Sequence, residues 1–366
     1  MPPGVNRDVP LAPRTTLGVG GAAHYHARVE DPASLGPLLA WARDHHLPTF
    51  VLGGGSNLLV ADTGFDGLCL EFVDERLTLE DLGSHVRVRA GAGVPWDHLV
   101  ATAVDAGLGG LECLSGIPGR VGAAPIQNVG AYGQEVAETL ESVDVVERST
   151  GAVRRLAADQ CGFAYRWSHF KGPWKDRYVV TALHMLLPRR DHGTVRYGDL
   201  QRRFGVVEGG AMPSLTEVRG AVLDVRRSKS MVLDPDDPNR RSAGSFFVNP
   251  VLSASELATV VDRCRALGID PDTLPRYPTA DGDRDEGKQT KLPAAWLIER
   301  AGFNKGHRLG RAGLSTRHTL ALINRGGASA AEIVDLARQI RDGVLQTFGV
   351  TLRPEPVFLG FDEDFR

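Results

Sequence analysis

The chain has 366 residues, 42% hydrophobic and 24% charged, with 42 Lys+Arg against 45 Asp+Glu for a formal net charge of −3. Such a composition belongs to a globular protein of two or three domains. The near-balance of charge argues against nucleic acid or an anionic membrane surface as partner. Cys69, Cys113, Cys161 and Cys264 are scattered, with no C-x-x-C pair and no Cys/His cluster. Neither a metal site nor a disulfide framework is therefore expected, and each cysteine reads as a buried, reduced thiol. The N-terminus lacks a charged-then-apolar signal pattern and no apolar run is long enough to span a bilayer, so a cytoplasmic protein is expected.

In chain order, Gly18, Gly20 and Ala23 form a G-x-G-x-x-A match, but Pro10 and Pro13 stand where a dinucleotide fold needs a strand, so that reading is discounted. Asp31-Pro32 opens a helix carrying Leu35, Leu38, Leu39 and Ala42 on one face. Thr49–Leu52 reads as a short buried strand, then comes the turn Gly53-Gly54-Gly55-Ser56-Asn57 and a second apolar strand, Leu58–Val60. Strand, glycine turn, strand can cradle phosphate without a helix dipole, and the absence of Gly-Lys-[Ser/Thr] excludes a Walker A loop. Leu82–Ala90 alternates as a half-buried strand, and Pro95–Ala106 has helical spacing ending at Gly107.

The most informative segment follows. SGIPGRVGAAPIQNVGAYG, Ser115 to Gly133, holds five glycines and two prolines with one full charge, Arg120. Glycine admits φ > 0 and close ligand approach, proline stiffens the turn, and main-chain N–H groups in such a loop form an anion nest. Gln127, Asn128 and Tyr132 add groups that could read a flat heterocycle.

Val143–Val146 and Tyr178–Leu183 read as strands. Composition shifts at Arg202–Pro213 and again at Pro235–Arg241, which suggests an insertion and then the border of a new unit. From Pro250 the pattern is mostly helical, with capping boxes at Ser253/Glu256 and Ser329/Glu332, and residues 281–288 form a charged loop.

Three further clusters suggest chemistry. Phe163–Lys171 (FAYRWSHFK) contains Tyr165 and Arg166, which in extended chain would point to opposite faces. Ala243–Pro250 (AGSFFVNP) sets Ser245 before two aromatics without a G-x-S-x-G elbow, which disfavours a serine hydrolase. Arg353–Phe358 (RPEPVF) holds Glu355 rigidly between two prolines before an apolar strand.

Together TTLGVGG, VLGGGSNLLV, SGIPGRVGAAPIQNVGAYG, FAYRWSHFK, SKSMVLDP, AGSFFVNP, KLPAAWLIERAG and LRPEPVFLG resemble, in order and over nearly the whole chain, the UDP-N-acetylenolpyruvoylglucosamine reductases (MurB). The Tyr197-Gly198-Asp199-Leu200 stretch resembles the family's first type, whose insertion carries a tyrosine that covers the substrate. The resemblance implies an α+β chain: a two-subdomain FAD-binding region of the vanillyl-alcohol-oxidase (PCMH) type plus a C-terminal α+β substrate-binding domain. The expected division is 1–75 with 352–366 returning to it, then 76–225 with the insertion around 190–215, then 226–351. It further implies FAD contacts at Gly53, Gly54, Gly55, Ser56 and Asn57, and along the loop at Ser115, Gly116, Ile117, Pro118, Gly119, Gly122, Ala123, Gln127, Asn128, Gly130, Ala131, Tyr132 and Gly133. With no histidine in the GGGSN turn, the flavin is expected to be non-covalent.

The family's reaction is implied in the same way. NADPH reduces FAD; UDP-N-acetylglucosamine enolpyruvate then takes hydride from flavin N5 at C3 and a proton at C2, giving UDP-N-acetylmuramate for peptidoglycan. Ser245 matches the proton donor, Arg166 and Glu355 the groups that stabilise the charged carboxylate, and Tyr165, Tyr197, Lys229 and Asn249 the substrate-binding positions. Where many relatives have glutamine after the acid of the WLIE segment this chain has Arg300, so the diphosphate contact stands open between Glu299 and Arg300. A monomer is expected. Another non-covalent flavin enzyme of the same fold has no use for a C2 proton donor, and an idle homologue would have lost one of Ser245, Arg166 or Glu355; these features separate the rival readings.

Overall fold

The computed structural model describes residues 1–205, 212–278 and 289–362. The charged loop expected at 281–288 lies outside the described residues, as does the Gly-rich centre, 206–211, of the expected insertion. The chain divides into two compact units. One comprises Met1–Val9, Ala22–Gly55 and Phe65–Leu233; the other Pro10–Gly21, Ser56–Gly64 and Asp234–Arg366. The chain thus passes between units five times.

The first unit contains two sheets. The strands Val5–Pro10, Ala22–Val29, Phe65–Phe72 and Thr49–Leu52 lie in that order, the last three mutually parallel. Phe65–Phe72 is central, and Leu68, Cys69 and Leu70 are fully buried, as expected of a parallel strand covered on both faces. Pro10 does not abolish a strand: it ends one, and Pro13 lies in a single helical turn at Ala12–Arg14. The G-x-G-x-x-A run leads into the Ala22–Val29 strand, not a helix, which removes the dinucleotide-fold geometry. The expected helix at Asp31 is a turn at Pro32–Ser34 followed by a helix over Leu35–Asp44, with Leu35, Leu38, Leu39 and Ala42 buried.

The second sheet is antiparallel, in the order Val153–Ala157, Leu140–Glu147, Tyr178–Pro188, His85–Gly91 and Leu77–Asp81. Residues 82–84, expected as strand, are instead the turn of a hairpin, with the Asp81 carboxylate accepting the Gly83 N–H at 2.9 Å. The Trp96–Asp105 helix buries Trp96, Leu99, Val100, Ala103 and Val104, the spacing of one helical face, in the core shared with this sheet. Gly107, at φ +70°, follows its end.

The other unit is built around the Ala330–Phe348 helix. Its capping box at Ser329/Glu332 opens it and Gly349 at φ +74° closes it. Ile333, Leu336, Ala337, Ile340, Val344 and Phe348 are fully buried. Around it lie helices at Ala254–Ala266 and Ala294–Arg300 and two three-stranded sheets whose strands are two or three residues long. The mostly helical expectation holds by length, and these strands add to it; they are too short to imprint alternation on the sequence. Val357–Leu359 pairs in parallel with Leu58–Val60, which draws 56–64 into this unit.

Candidate functional site

Three features of the first unit converge on the Ser115–Gly133 loop. The Gly53–Gly55 turn packs main chain against main chain on it: a Cβ at Gly54 would stand 2.8 Å from the Gly119 Cα. The loop itself is pinned to its unit, because Trp96 N–H donates to Gly119 O, Val121 N–H to Val94 O and Gly122 N–H to Ala92 O. Left-handed backbone occurs at Gly55, Gly116, Gly119 and Gly133 and at the non-glycines Asn128, Tyr132 and Arg166. Non-glycine residues in this region are uncommon and cluster at functional sites.

Tyr132-Gly133, both at φ > 0, turn the two-residue hairpin between Gly130–Ala131 and Gln134–Glu135. Burial pushes the Tyr132 phenol up to about 12, against the pull of the Arg226 guanidinium, to which it is hydrogen-bonded. The sequence does not single out Arg226. Its Nε is buried with no hydrogen-bond partner among the described residues and lies 3.4 Å from where a Gly116 Cβ would be. Burial also pulls this guanidinium below its ordinary value. A glycine cradle beside a buried guanidinium whose Nη2 is held by Met231 O at 2.6 Å but whose Nε has no partner among the described residues suits a ligand with a diphosphate bridge, as FAD has.

Some loop residues are used differently from the sequence expectation. The Asn128 side chain donates to Glu135 Oε2 at 2.6 Å and Ala164 O at 3.2 Å and accepts from Ala137 N at 3.1 Å. With both amide hydrogens and the oxygen engaged, it organises the loop rather than reading a heterocycle. Ser115, fully buried, donates to Glu112 O, and Gly116 N–H donates to Asp97 Oδ1 at 2.6 Å, so that N–H is not part of an open nest. Asp97 also takes the Arg219 fork at 2.7 and 2.9 Å. Burial alone would raise the Asp97 carboxyl; the guanidinium and the Gly116 N–H outweigh it and hold it below its ordinary value.

Arg166 and Tyr165 are not in extended chain. Ala164 and Trp167 exchange both main-chain hydrogen bonds, so Tyr165 and Arg166 form a tight turn, and the left-handed Arg166 brings its guanidinium 5.4 Å from the Tyr165 ring centroid. Its Nη2 donates to Gly130 O at 2.7 Å, which ties this turn to the loop. Tyr197, 46% exposed, stands edge-on to Tyr132 with centroids 5.4 Å apart. Two residues on, Asp199 accepts from Lys229 Nζ at 3.2 Å, so Tyr132, Tyr197 and Lys229 are brought into one neighbourhood.

In the other unit, the chain at Ser245 runs antiparallel to the chain at Glu355: Glu355 N–H donates to Phe246 O at 2.9 Å and Val248 N–H to Arg353 O at 3.0 Å. Ser245 is half-buried, and its hydroxyl makes no hydrogen bond among the described residues, while Phe246 and Phe247 beyond it are buried. Asn57 holds the same segment, donating from Nδ2 to Glu355 O and accepting the Val357 N–H at its own carbonyl. Asn249 Oδ1 caps the Ala294–Arg300 helix by accepting Ala294 N–H at 2.9 Å. Glu299 accepts from Thr319 Oγ1 at 3.2 Å, whereas Arg300 lies over the Trp296 ring. Glu112, Asp199 and Arg226 escape the sequence reading, although Asp199 sits in the quoted Tyr-Gly-Asp-Leu stretch and Glu112 is a lone acid in an apolar run just before the loop.

Residues 23–157 match the model of an FAD binding domain, and 236–359 match the C-terminal domain of UDP-N-acetylenolpyruvoylglucosamine reductase. The fold and the glycine cradle therefore define an FAD-dependent oxidoreductase of the α+β, vanillyl-alcohol-oxidase type. A UDP-N-acetylenolpyruvoylglucosamine reductase of Thermobifida fusca is 51% identical over 97% of this chain and 98% of its own, and one of Saccharopolyspora erythraea is 49% identical over 95% and 94%. The chain belongs to the UDP-N-acetylenolpyruvoylglucosamine reductase family. The crystal structure of the reductase from Thermus caldophilus superposes with a TM-score of 0.64 at 28% identity, covering 97% of this chain and 98% of that one. A 6-hydroxy-D-nicotine oxidase from Arthrobacter nicotinovorans shares the fold at 16% identity, with a TM-score of 0.51 over 90% of this chain and 81% of its own.

Proposed function

We propose that this chain reduces UDP-N-acetylglucosamine enolpyruvate to UDP-N-acetylmuramate, with NADPH as reductant, in the supply of peptidoglycan precursors. Bound in the cradle, without a covalent link, FAD supplies the two-electron chemistry that connects NADPH to the enolpyruvyl double bond. Residues 53–57 and the 115–133 loop would hold it, with Arg226 meeting its negative charge.

The chain's own residues do the rest. Ser245 gives its hydroxyl proton to C2, where negative charge develops as C3 is reduced. Arg166 meets the substrate carboxylate with a fork that can bind it bidentately. Glu355 meets the same carboxylate, which it can do as a donor when it carries a proton. Groups aimed at developing charge contribute about 10²–10³ each in rate. Tyr165 and Asn249 line the substrate, Lys229 takes the diphosphate, and Tyr197 closes over the UDP end.

The enzyme works as a monomer in the cytoplasm on this reading; no helix among the described residues is long and apolar enough to cross a membrane. The observation that carries the proposal is the antiparallel pairing of the Ser245 and Glu355 segments, with the Ser245 hydroxyl making no hydrogen bond among the described residues. Ser245→Ala tests it. Flavin bleaching by NADPH should stay near normal while reoxidation by the enolpyruvyl substrate slows by several orders of magnitude. Equal slowing of both half-reactions would make Ser245 structural and sink the mechanism.

A further inference from the structure

Glu112 is fully buried. A carboxylate in such a place must have its charge met by hydrogen-bond donors. Three N–H groups do so: Gly110 N donates to Oε2 at 2.7 Å, while Gln134 Nε2 at 2.9 Å and Thr194 N at 2.8 Å donate to Oε1. These donors come from three separate stretches of chain. Gly110 precedes the Ser115–Gly133 loop, Gln134 follows it, and Thr194 stands three residues before Tyr197.

The clamp on Thr194 is complete. Its N–H goes to Glu112, its hydroxyl accepts from Gln134 Nε2 at 3.1 Å, and its carbonyl accepts from Cys113 Sγ at 3.3 Å. Gln134 closes the ring by accepting Cys113 N–H at 2.8 Å. Neighbouring Gly193 leaves room for this approach, since a Cβ there would stand 2.6 Å from Val218 Cγ2 and 3.4 Å from Glu112 Cγ. Val195 then packs with Cys113, Leu200, Val218 and Val222, and Tyr132 lies against the same cluster.

We propose that Glu112 is a positioning residue, one that fixes the Tyr197-bearing segment to both ends of the 115–133 loop and so sets Tyr197 against Tyr132 over the bound nucleotide. The proposal rests on the reading of Tyr197 as the cover of the UDP end. A carboxyl group offers an acceptor oxygen to each of the three donors. Glutamine, nearly the same size, sets an NH₂ against an N–H and breaks the ring.

The test uses the FAD-loaded chain and UDP as probe, titrated by calorimetry into wild type, Glu112→Gln, Tyr197→Ala and the double variant. Glu112→Gln should bind UDP about tenfold more weakly while keeping its flavin spectrum, from the loss of hydrogen bonds to a charged acceptor. The double variant should lose no more than Tyr197→Ala alone, since residues acting through one contact are not additive. Unchanged UDP affinity in Glu112→Gln, or losses that multiply in the double variant, would overturn the proposal. If Glu112→Gln does not fold, Thr194→Val removes only the hydroxyl that Gln134 bonds. It should weaken UDP several-fold, and no change would overturn the idea. A wild-type chain that ignores UDP would overturn the substrate reading itself, and the proposal with it.

Discussion

Replacing Gly54 by alanine is expected to destabilise the FAD-free protein by about 2 kcal/mol. The added Cβ would stand 2.8 Å from Gly119 Cα, 3.2 Å from Gly119 C and 3.5 Å from Arg120 N, all main-chain atoms. Carbon–carbon contacts rest at roughly 3.5–4.0 Å, so one turn must move by more than about half an ångström. It cannot move freely, because Gly119 O, Val121 N and Gly122 N are each hydrogen-bonded to main chain of the same unit. Overpacking of this kind costs about 1–3 kcal/mol, and the stiffening of the unfolded chain returns only about 0.4–1 kcal/mol.

Urea denaturation followed by tryptophan fluorescence measures the loss. Gly53→Ala is the control. Its Cβ would meet Ala123 Cβ at 3.5 Å and Arg120 Cβ at 4.0 Å, ordinary contacts, so apoprotein stability should hold. A Gly54→Ala protein as stable as wild type, or a Gly53→Ala protein as damaged, would refute the close-packing argument.

Other expectations follow from groups already described. Asn128→Ala strips three partners in a buried site held at φ +45° and should lower the urea stability by on the order of 3 kcal/mol; a loss below about 1 kcal/mol would show that the loop is held elsewhere. Arg166→Lys keeps the charge but loses the fork, and the half-reaction with the enolpyruvyl substrate should slow by about 10²-fold while reduction by NADPH changes little; stopped-flow absorbance separates the two. Burial raises the Asp144 carboxyl, but hydrogen bonds from His184 at 2.8 Å and Arg155 at 2.7 Å outweigh it and hold the group at about 2. A depressed folded value means the contribution is fully present above the ordinary carboxylate range and lost as pH falls from about 4 towards 2, an effect of roughly 1–2 kcal/mol. Acid titration of wild type against Asp144→Asn should show that difference vanish at the low end.

The parts of the fold that sequence reveals are those with a strong local signal. The Thr49–Leu52 and Leu58–Val60 strands, the Trp96–Asp105 helix and the capping boxes at Ser253 and Ser329 all stand where apolar spacing and Ser-x-x-Glu put them. The same box at Ser214/Glu217 opens a helix that the sequence reading misses, because Arg-rich sequence masks its buried face of Leu215, Val218, Ala221 and Val222. Hidden altogether are contacts set by three-dimensional folding. Spacing does not tell that Arg166 turns back over Tyr165, since the left-handed backbone responsible is not written in the residue type. Nor does it tell that Asn128 is fully occupied, because its partners Glu135, Ala137 and Ala164 are brought to it by the hairpin and the neighbouring turn.

The five crossings between units bear on how the protein is made. Leu58–Val60 leaves the ribosome early, yet its strand partner Val357–Leu359 is among the last segments synthesised. Asp62 likewise waits for the helix end at Ala330 and Ala331 whose N–H groups it accepts. At about 5–20 residues per second, nearly 300 residues of synthesis leave that apolar segment unpaired for tens of seconds. Nascent chains paused before the C-terminus should accordingly be chaperone clients. A fragment beginning at Asp234 would lack Leu17, Val19 and Leu59 from its own core, so this unit cannot be transplanted as one contiguous piece of gene.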